Sequence, residues 1–163
     1  MIQHARSGAL PHAQPAISVT RLAAAGTQSM PVAPVPAAIV RVRPTQEVTS
    51  AQGLPNLPGI SCATGATGLS MKLVVVPPGG AAVPHIHQGF ETAIYCLSGR
   101  IETRYGPGLR QAIVSEPGDF LFIPAGVPHQ PINLSATQPA RAIVARNDPA
   151  EHESVVLYDP TVE

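Results

Sequence analysis

The chain has no tryptophan, three phenylalanines, three tyrosines and a single lysine, Lys72. Charged residues make up 12%, and acids and bases balance to a formal net charge of zero. Nucleic acid and anionic membranes both demand a basic surface, so neither is expected as a partner. Apolar residues reach 44%, yet no apolar run approaches the ~20 residues that a membrane helix needs. The two cysteines, Cys62 and Cys96, make no CxxC pair and no disulfide framework, which points to a reduced, cytoplasmic setting. Cys96 lies in an apolar run and is expected to pack as a small hydrophobe. Long helices lack room as well, because 19 prolines and 14 glycines interrupt the 163 residues. An all-β domain with many turns is the expectation, in a chain long enough for a real core.

Residues 1–38 differ from the rest: Ala/Pro-rich, without a clear period, and with no acid before Glu47. They read as a disordered N-terminal extension, with His4 and His12 solvated. A cleaved targeting segment, or a start at Met30, is the alternative. A single domain is expected over 39–163. Strand patterns cover 38–44, 68–80 (ended by its Pro-Pro-Gly-Gly), 92–99 with its closing turn and 140–146, and 100–105 turns through the Gly-Pro-Gly of 106–108 into 109–114 as a hairpin. A short buried strand is expected within 116–129, and a loop over 49–61. The apolar tail 153–160 is either an edge strand or a segment exchanged with a partner. Short strands punctuated by glycine and proline suggest a sandwich or barrel.

Candidate chemistry gathers in "PHIHQGFETAIYCLSG", residues 84–99. In a strand, residues two apart point to one side, so His85 and His87 face the same way. Glu91 follows after a short bend, and His129 lies beyond the hairpin in "PAGVPHQPIN". A lone His-x-His is weak evidence for a metal; the combination with a third histidine and an acid is stronger.

These positions resemble the two motifs of the cupin superfamily. Gly79, His85, His87, Glu91 and Gly99 follow the first, and Gly118, Pro124, Gly126, His129 and Asn133 follow the second without a gap. The first departs at one place: seven residues, not six, separate Glu91 from Gly99. The other spacing puts Thr92 in the acid's place, and threonine is a poor ligand, so Glu91 is chosen. The resemblance covers about residues 70–146, and the wording looks like a subgroup of small single-domain bacterial cupins. It implies a double-stranded β-helix, a jelly-roll barrel, with one divalent metal near its mouth held by His85, His87, Glu91 and His129. Three imidazoles and a carboxylate suit Fe, Mn, Ni, Zn or Cu, and the missing thiolate argues against a closed structural zinc. Gly118 and Gly126 would allow tight bends, Pro124 and Pro128 would stiffen the turn presenting His129, and Asn133 would hold a turn by hydrogen bonds.

Alternation from Glu91 puts Ala93, Tyr95 and Leu97 on its side. Tyr95 would then either donate a hydrogen bond to a metal-bound ligand or pack at the rim. At least two of Phe90, Phe120 and Phe122 are expected in the core. Gln130 should face away from His129. Arg100, Glu102 and Arg104 read as a wet face with cross-strand pairing, or as part of a dimer surface. No cluster of arginine and lysine calls for a phosphorylated substrate. The function that follows is a metal-dependent enzyme of oxygenase type on a small oxygen-bearing substrate, with Glu91 as a base if it leaves the metal. An isomerase, lyase or cyclase ranks second, because Tyr95 is the sole further acid–base candidate. A non-catalytic binding module and a purely structural metal are the remaining readings. The resemblance also implies a homodimer.

Overall fold

The computed structural model describes residues 39–150 and 155–162; the expected N-terminal extension, with His4 and His12, lies outside the described residues. Strand follows strand, relieved by two 3-10 turns at Cys62–Thr64 and Pro107–Leu109. β1 (Val48–Thr49), β2 (Pro55–Ile60), β3 (Ser70–Val76), β10 (Ala140–Arg146), β5 (Thr92–Ser98) and β8 (Phe120–Ile123) form one sheet in that order. β11 (Val155–Leu157), β4 (His85–His87), β9 (His129–Asn133), β6 (Ile101–Tyr105) and β7 (Gln111–Ser115) form the other. Every pairing is antiparallel, so the domain is all-β, two sheets packed as a jelly-roll barrel. No helix among the described residues is long and apolar enough to cross a membrane.

The register of the larger sheet lays its inward side chains out in rows. Ser70, Arg146, Thr92 and Ile123 lie abreast at one end; Lys72, Val144, Ile94 and Leu121 come next; then Val74, Ala142 and Cys96. The alternate residues Met71, Ala145, Ala93 and Phe122 make an outer row. Period-two alternation thus splits each strand into an inner and an outer face. The apolar core fills the end furthest along these rows: Leu54, Val76, Ala82, Cys96, Ile101, Ala140 and Ala142 are buried together, with Val74 and Ile94 against them. Cys96 packs there as expected, and burial raises its thiol pKa. The opposite end is polar.

Several local expectations change. Residues 39–44 form no strand, and Ile39 is fully exposed: the short β1 begins at Val48, and the alternating stretch before it has no strand to pair with. The expected loop 49–61 contains β2, despite Pro55 and Pro58. β1 is two residues long and pairs only with Pro55 and Asn56, so Pro58 owes no ladder bond on that side. A register shift at Gly59 follows, where the Met71 carbonyl approaches so closely that a Cβ would sit 2.6 Å from its oxygen. The hairpin's return strand starts at Gln111 rather than 109, because the 3-10 turn takes up Pro107–Leu109. Phe120 and Phe122 occupy the outer face of β8 and are 82% and 59% exposed, so the strand is buried on one face only. The wet face of β6 is as expected, but Arg104 pairs with Glu102 on its own strand at 2.8 Å, and Arg100 pairs with Glu116 at 2.8 Å. The tail closes onto its own barrel, β11 pairing with β4.

Candidate functional site

The smaller sheet delivers three imidazoles to the polar end. His85 and His87 project inward from β4, two residues apart, and His129 opens β9 directly opposite His85. All three are at most 4% exposed. Ring centroids lie 4.2 Å apart for His85 and His129, 4.9 Å for His85 and His87, and 5.4 Å for His87 and His129. One nitrogen from each lies within 4.8 Å of the others. The turn before His129 is fixed by Gly126, whose φ of 78° is a left-handed conformation that suits glycine. Its N–H donates to the His87 carbonyl at 2.9 Å and ties the two histidine-bearing segments together. Asn133 holds the far end of β9: its amide donates to the carbonyls of Val76, Pro77 and Gln138, and its oxygen accepts from the Ser135 N–H.

Hydrogen bonds orient two of the rings. His85 Nδ1–H donates to the Val83 carbonyl at 2.7 Å, and His129 Nδ1–H to the Val127 carbonyl at 2.9 Å. A backbone acceptor on Nδ1 leaves the Nε2 lone pair for a ligand, the arrangement that metal-binding histidines adopt. His87 accepts from Arg146 Nη2 at Nε2, 2.9 Å away, and its Nδ1 is buried with no hydrogen-bond partner. Burial, reinforced by neighbouring positive charge, holds all three rings neutral. The pKa of His85 falls to about 3 and that of His87 to about 2, while that of His129 is also lowered. His85 and His129 offer Nε2 lone pairs that fit a divalent metal, whereas the Nε2 lone pair of His87 is taken by Arg146 and its Nδ1 carries the proton, so His87 would join a metal only on release of that bond.

The larger sheet supplies the facing wall of a small cavity, about 60 Å³ in volume. Lys72, Thr92 and Arg146 line it, with Ser50 and Gln52 from the loop before β2 and apolar walls of Leu54, Val74, Ile94 and Val144. Arg146 Nε donates to Thr92 Oγ1 at 3.1 Å. Lys72 and Arg146 are 7% and 6% exposed.

Two expected site residues lie elsewhere. Glu91 is exposed, its N–H donating to Asn147 Oδ1 at 2.8 Å, and it lines an outer groove with Ala93 and Phe122. Tyr95 is on the outer face of β5, where its ring lies 4.7 Å from that of Phe120. Alternation kept Glu91, Ala93 and Tyr95 on one side as expected, but that side is the outside of the barrel. The inward position at the start of β5 belongs to Thr92, which is 2% exposed. A one-residue choice of register exchanges the two faces of a strand.

The sequence matches the family model of the cupin domain over residues 72–146, the segment that carries all three buried histidines. Residues 72–146 belong to the cupin superfamily. Among solved structures, this cupin is similar to the polyketide cyclase RemF from Streptomyces resistomycificus, with 25% identity and a TM-score of 0.60 over 75% of this chain and 87% of that one. An oxalate oxidase solved in complex with glycolate matches at 24% identity and a TM-score of 0.56, over 67% of this chain and 57% of that one. Oxalate decarboxylase from Bacillus subtilis, whose Mn(II) centres have been characterised, matches at 20% identity and a TM-score of 0.58, over 69% of this chain and 30% of that one. This chain thus spans little over half of the oxidase and about a third of the decarboxylase. At those identities the two share its fold. Comparison with curated proteins gives no match.

Sequence reasoning missed Lys72 and Arg146 as site residues. A signal was present for both. Lys72 is in phase with Val74 and Val76 in "SMKLVVV", and Arg146 is in phase with Ala142 and Val144 in "ARAIVAR". A cation in step with the buried residues of its strand points inward.

Proposed function

We propose that this cupin is a metal-dependent enzyme acting on a small oxygen-bearing organic substrate, with one divalent first-row metal held by His85, His87 and His129. The observation that carries the reading is the convergence of three buried neutral imidazoles, their nitrogens within 4.8 Å, on one cavity. A metal bound there would act as Lewis acid or redox centre for a chelating substrate. The chain's own residues do the rest. The backbone carbonyls of Val83 and Val127 hold two rings in their working tautomer, and Leu54, Val74, Ile94 and Val144 give the cavity apolar walls. Among the described residues no carboxylate joins the three histidines, so a metal held by them would keep open coordination positions for substrate.

Oxygenase chemistry is the first reading of the reaction. Non-redox cyclisation or isomerisation is the second, favoured by two observations: donors from Lys72 and Arg146 beside the histidines, and the likeness to a polyketide cyclase across most of that chain. A cytoplasmic homodimer belongs to the same reading, and the mass of the protein in solution tests the dimer.

Metal content by mass spectrometry tests the function, on untagged protein purified without chelator and on His87→Ala. About one metal per chain, lost in the variant, is the expected result. No metal after reconstitution overturns the reading. Oxygen uptake with candidate substrates then separates the two reaction classes.

A further inference from the structure

β7 is the last strand of the smaller sheet and β8 the last of the larger, and among the described residues no ladder joins them. The gap between these edges opens into a cavity of about 280 Å³, against about 60 Å³ at the histidines. No residue lines both cavities. Ile113 of β7, Leu121 and Ile123 of β8, and Pro124 and Val127 of the following turn give the larger one apolar walls. Such walls hold water poorly, because an enclosed water needs roughly two to four polar partners. Ile113 is 45% exposed, so the cavity has a mouth to solvent on this edge.

Two hydroxyls break the apolar lining. Thr103 and Tyr105 enter from β6, two residues apart and so on one face of that strand. Thr103 is only 3% exposed. Neither hydroxyl has a hydrogen-bond partner among the described residues. A buried hydroxyl left unpaired costs free energy, and a ligand that pairs with it recovers that cost.

We propose that this gap is a second binding site, for a compact, flat and neutral ring compound that carries one hydroxyl. Size sets the ring count: an apolar cavity of about 150 Å³ holds one benzene ring, so this one takes one or two fused rings. Shape favours a flat ligand, since two packed sheets stand only about 10 Å apart and leave a thin slot between them. A rigid ring also loses less freedom on binding than a chain of the same size. Charge favours a neutral one, because no charged residue lines the gap. The hydroxyls of Thr103 and Tyr105 can each donate and accept, so either can pair with the ligand's own. The site stands apart from the metal reading and does not depend on it.

Fluorescence titration with 2-naphthol, and with naphthalene as its counterpart without the hydroxyl, tests the inference on zinc-loaded and metal-stripped protein. The chain has no tryptophan to interfere with the emission of either probe. About one 2-naphthol should bind per chain, about fivefold more tightly than naphthalene, the worth of one hydrogen bond. Ile113→Arg sets a charge in the apolar mouth and should weaken 2-naphthol binding by at least about tenfold. The double variant Thr103→Val, Tyr105→Phe should lose the preference for 2-naphthol while binding naphthalene within about twofold of wild type. Zinc should change the 2-naphthol affinity by less than about twofold, because the two cavities share no residue. Absence of saturable binding overturns the proposal, as does an affinity unchanged in Ile113→Arg. A preference unchanged in the double variant overturns the role of the hydroxyls. Binding that requires zinc overturns the separate site and assigns the probe to the histidines. Should Ile113→Arg fail to fold by circular dichroism, Ile113→Gln replaces it, with affinity expected to fall about threefold. Should the double variant fail, Tyr105→Phe alone replaces it, with the preference expected to fall about twofold. An unchanged value in either replacement overturns the same claim.

Discussion

The two walls of the cavity are built from the same kind of element and do opposite electrostatic work. One wall, from β4 and β9, presents imidazoles that burial keeps uncharged. The other, from β3, β10 and β5, presents a lysine, a guanidinium and a hydroxyl. Desolvation explains the contrast. An imidazole lowers the cost of burial by losing its proton, whereas a guanidinium cannot lose one and must be solvated by protein groups. The difference separates what the two walls offer: the neutral wall has ring nitrogens for a metal, and the charged wall has N–H and O–H donors.

Removing an imidazole breaks the comparison most severely. His85→Ala and His129→Ala should each lower metal content by roughly tenfold or more, with the far-ultraviolet circular dichroism of the barrel intact. Neither residue belongs to the core cluster, so the barrel is expected to hold without them. Metal content unchanged in both variants would mean that the neutral wall is not a ligand set.

Acid acts on the same wall. His85 and His87 carry protons in the unfolded chain below about 6.5 but in the folded protein only near pH 3 and 2. Between those limits the unfolded state binds more protons, so stability of the metal-free protein rises with pH and is lost as pH falls below 6.5. Each group contributes a slope of up to about 1.4 kcal/mol per pH unit in that window. Urea midpoints between pH 4 and 8 read it, and His87→Asn should flatten the profile. A bound metal adds competition with protons, so loaded protein should lose stability more steeply over the same range.

The outcome also measures what a single sequence carries. His85, His87 and His129 were legible because the His-x-His spacing and the Gly/Pro turns around His129 are local facts. Asn133 was legible for the same reason. The charged wall was hidden because it is assembled across strands: Arg146 meets Thr92 through a pairing of β10 with β5, 54 residues apart in sequence. Burial of Lys72 needed only its phase in the strand, but a lysine inside a neutral, charge-poor chain runs against the usual placement of that residue. Strand β2 was hidden by its prolines, which are tolerated since the neighbouring strand is two residues long. Glu91 was chosen over Thr92 on ligand chemistry, and the strand's register decides the position instead.

Thr92→Ala comes next in size. It deletes the acceptor of the Arg146 Nε bond at a buried position, at a cost of about 1 kcal/mol in stability. Metal content should stay within about twofold, since the hydroxyl serves the charged wall and not the imidazoles. A large loss of metal would instead place Thr92 with the ligands.

The smallest effects belong to the outer face. Glu91→Ala removes an exposed carboxylate whose backbone N–H, rather than its side chain, makes the bond to Asn147. Tyr95→Phe removes a hydroxyl from a ring that rests on the exposed Phe120. Surface changes of this kind stay within about 0.5 kcal/mol. Metal content and turnover should therefore move by less than about twofold in either variant. The pair is informative because Glu91 and Thr92 are adjacent and face opposite ways. If Glu91→Ala lost metal while Thr92→Ala kept full stability, the start of β5 would have to shift by one residue. Every side chain of that strand would then exchange faces, taking Cys96 out of the core and Tyr95 into it. The burial of Cys96 against Ala142, a contact independent of the metal, checks the same register: Cys96 should resist alkylation in the folded protein and react once the barrel opens.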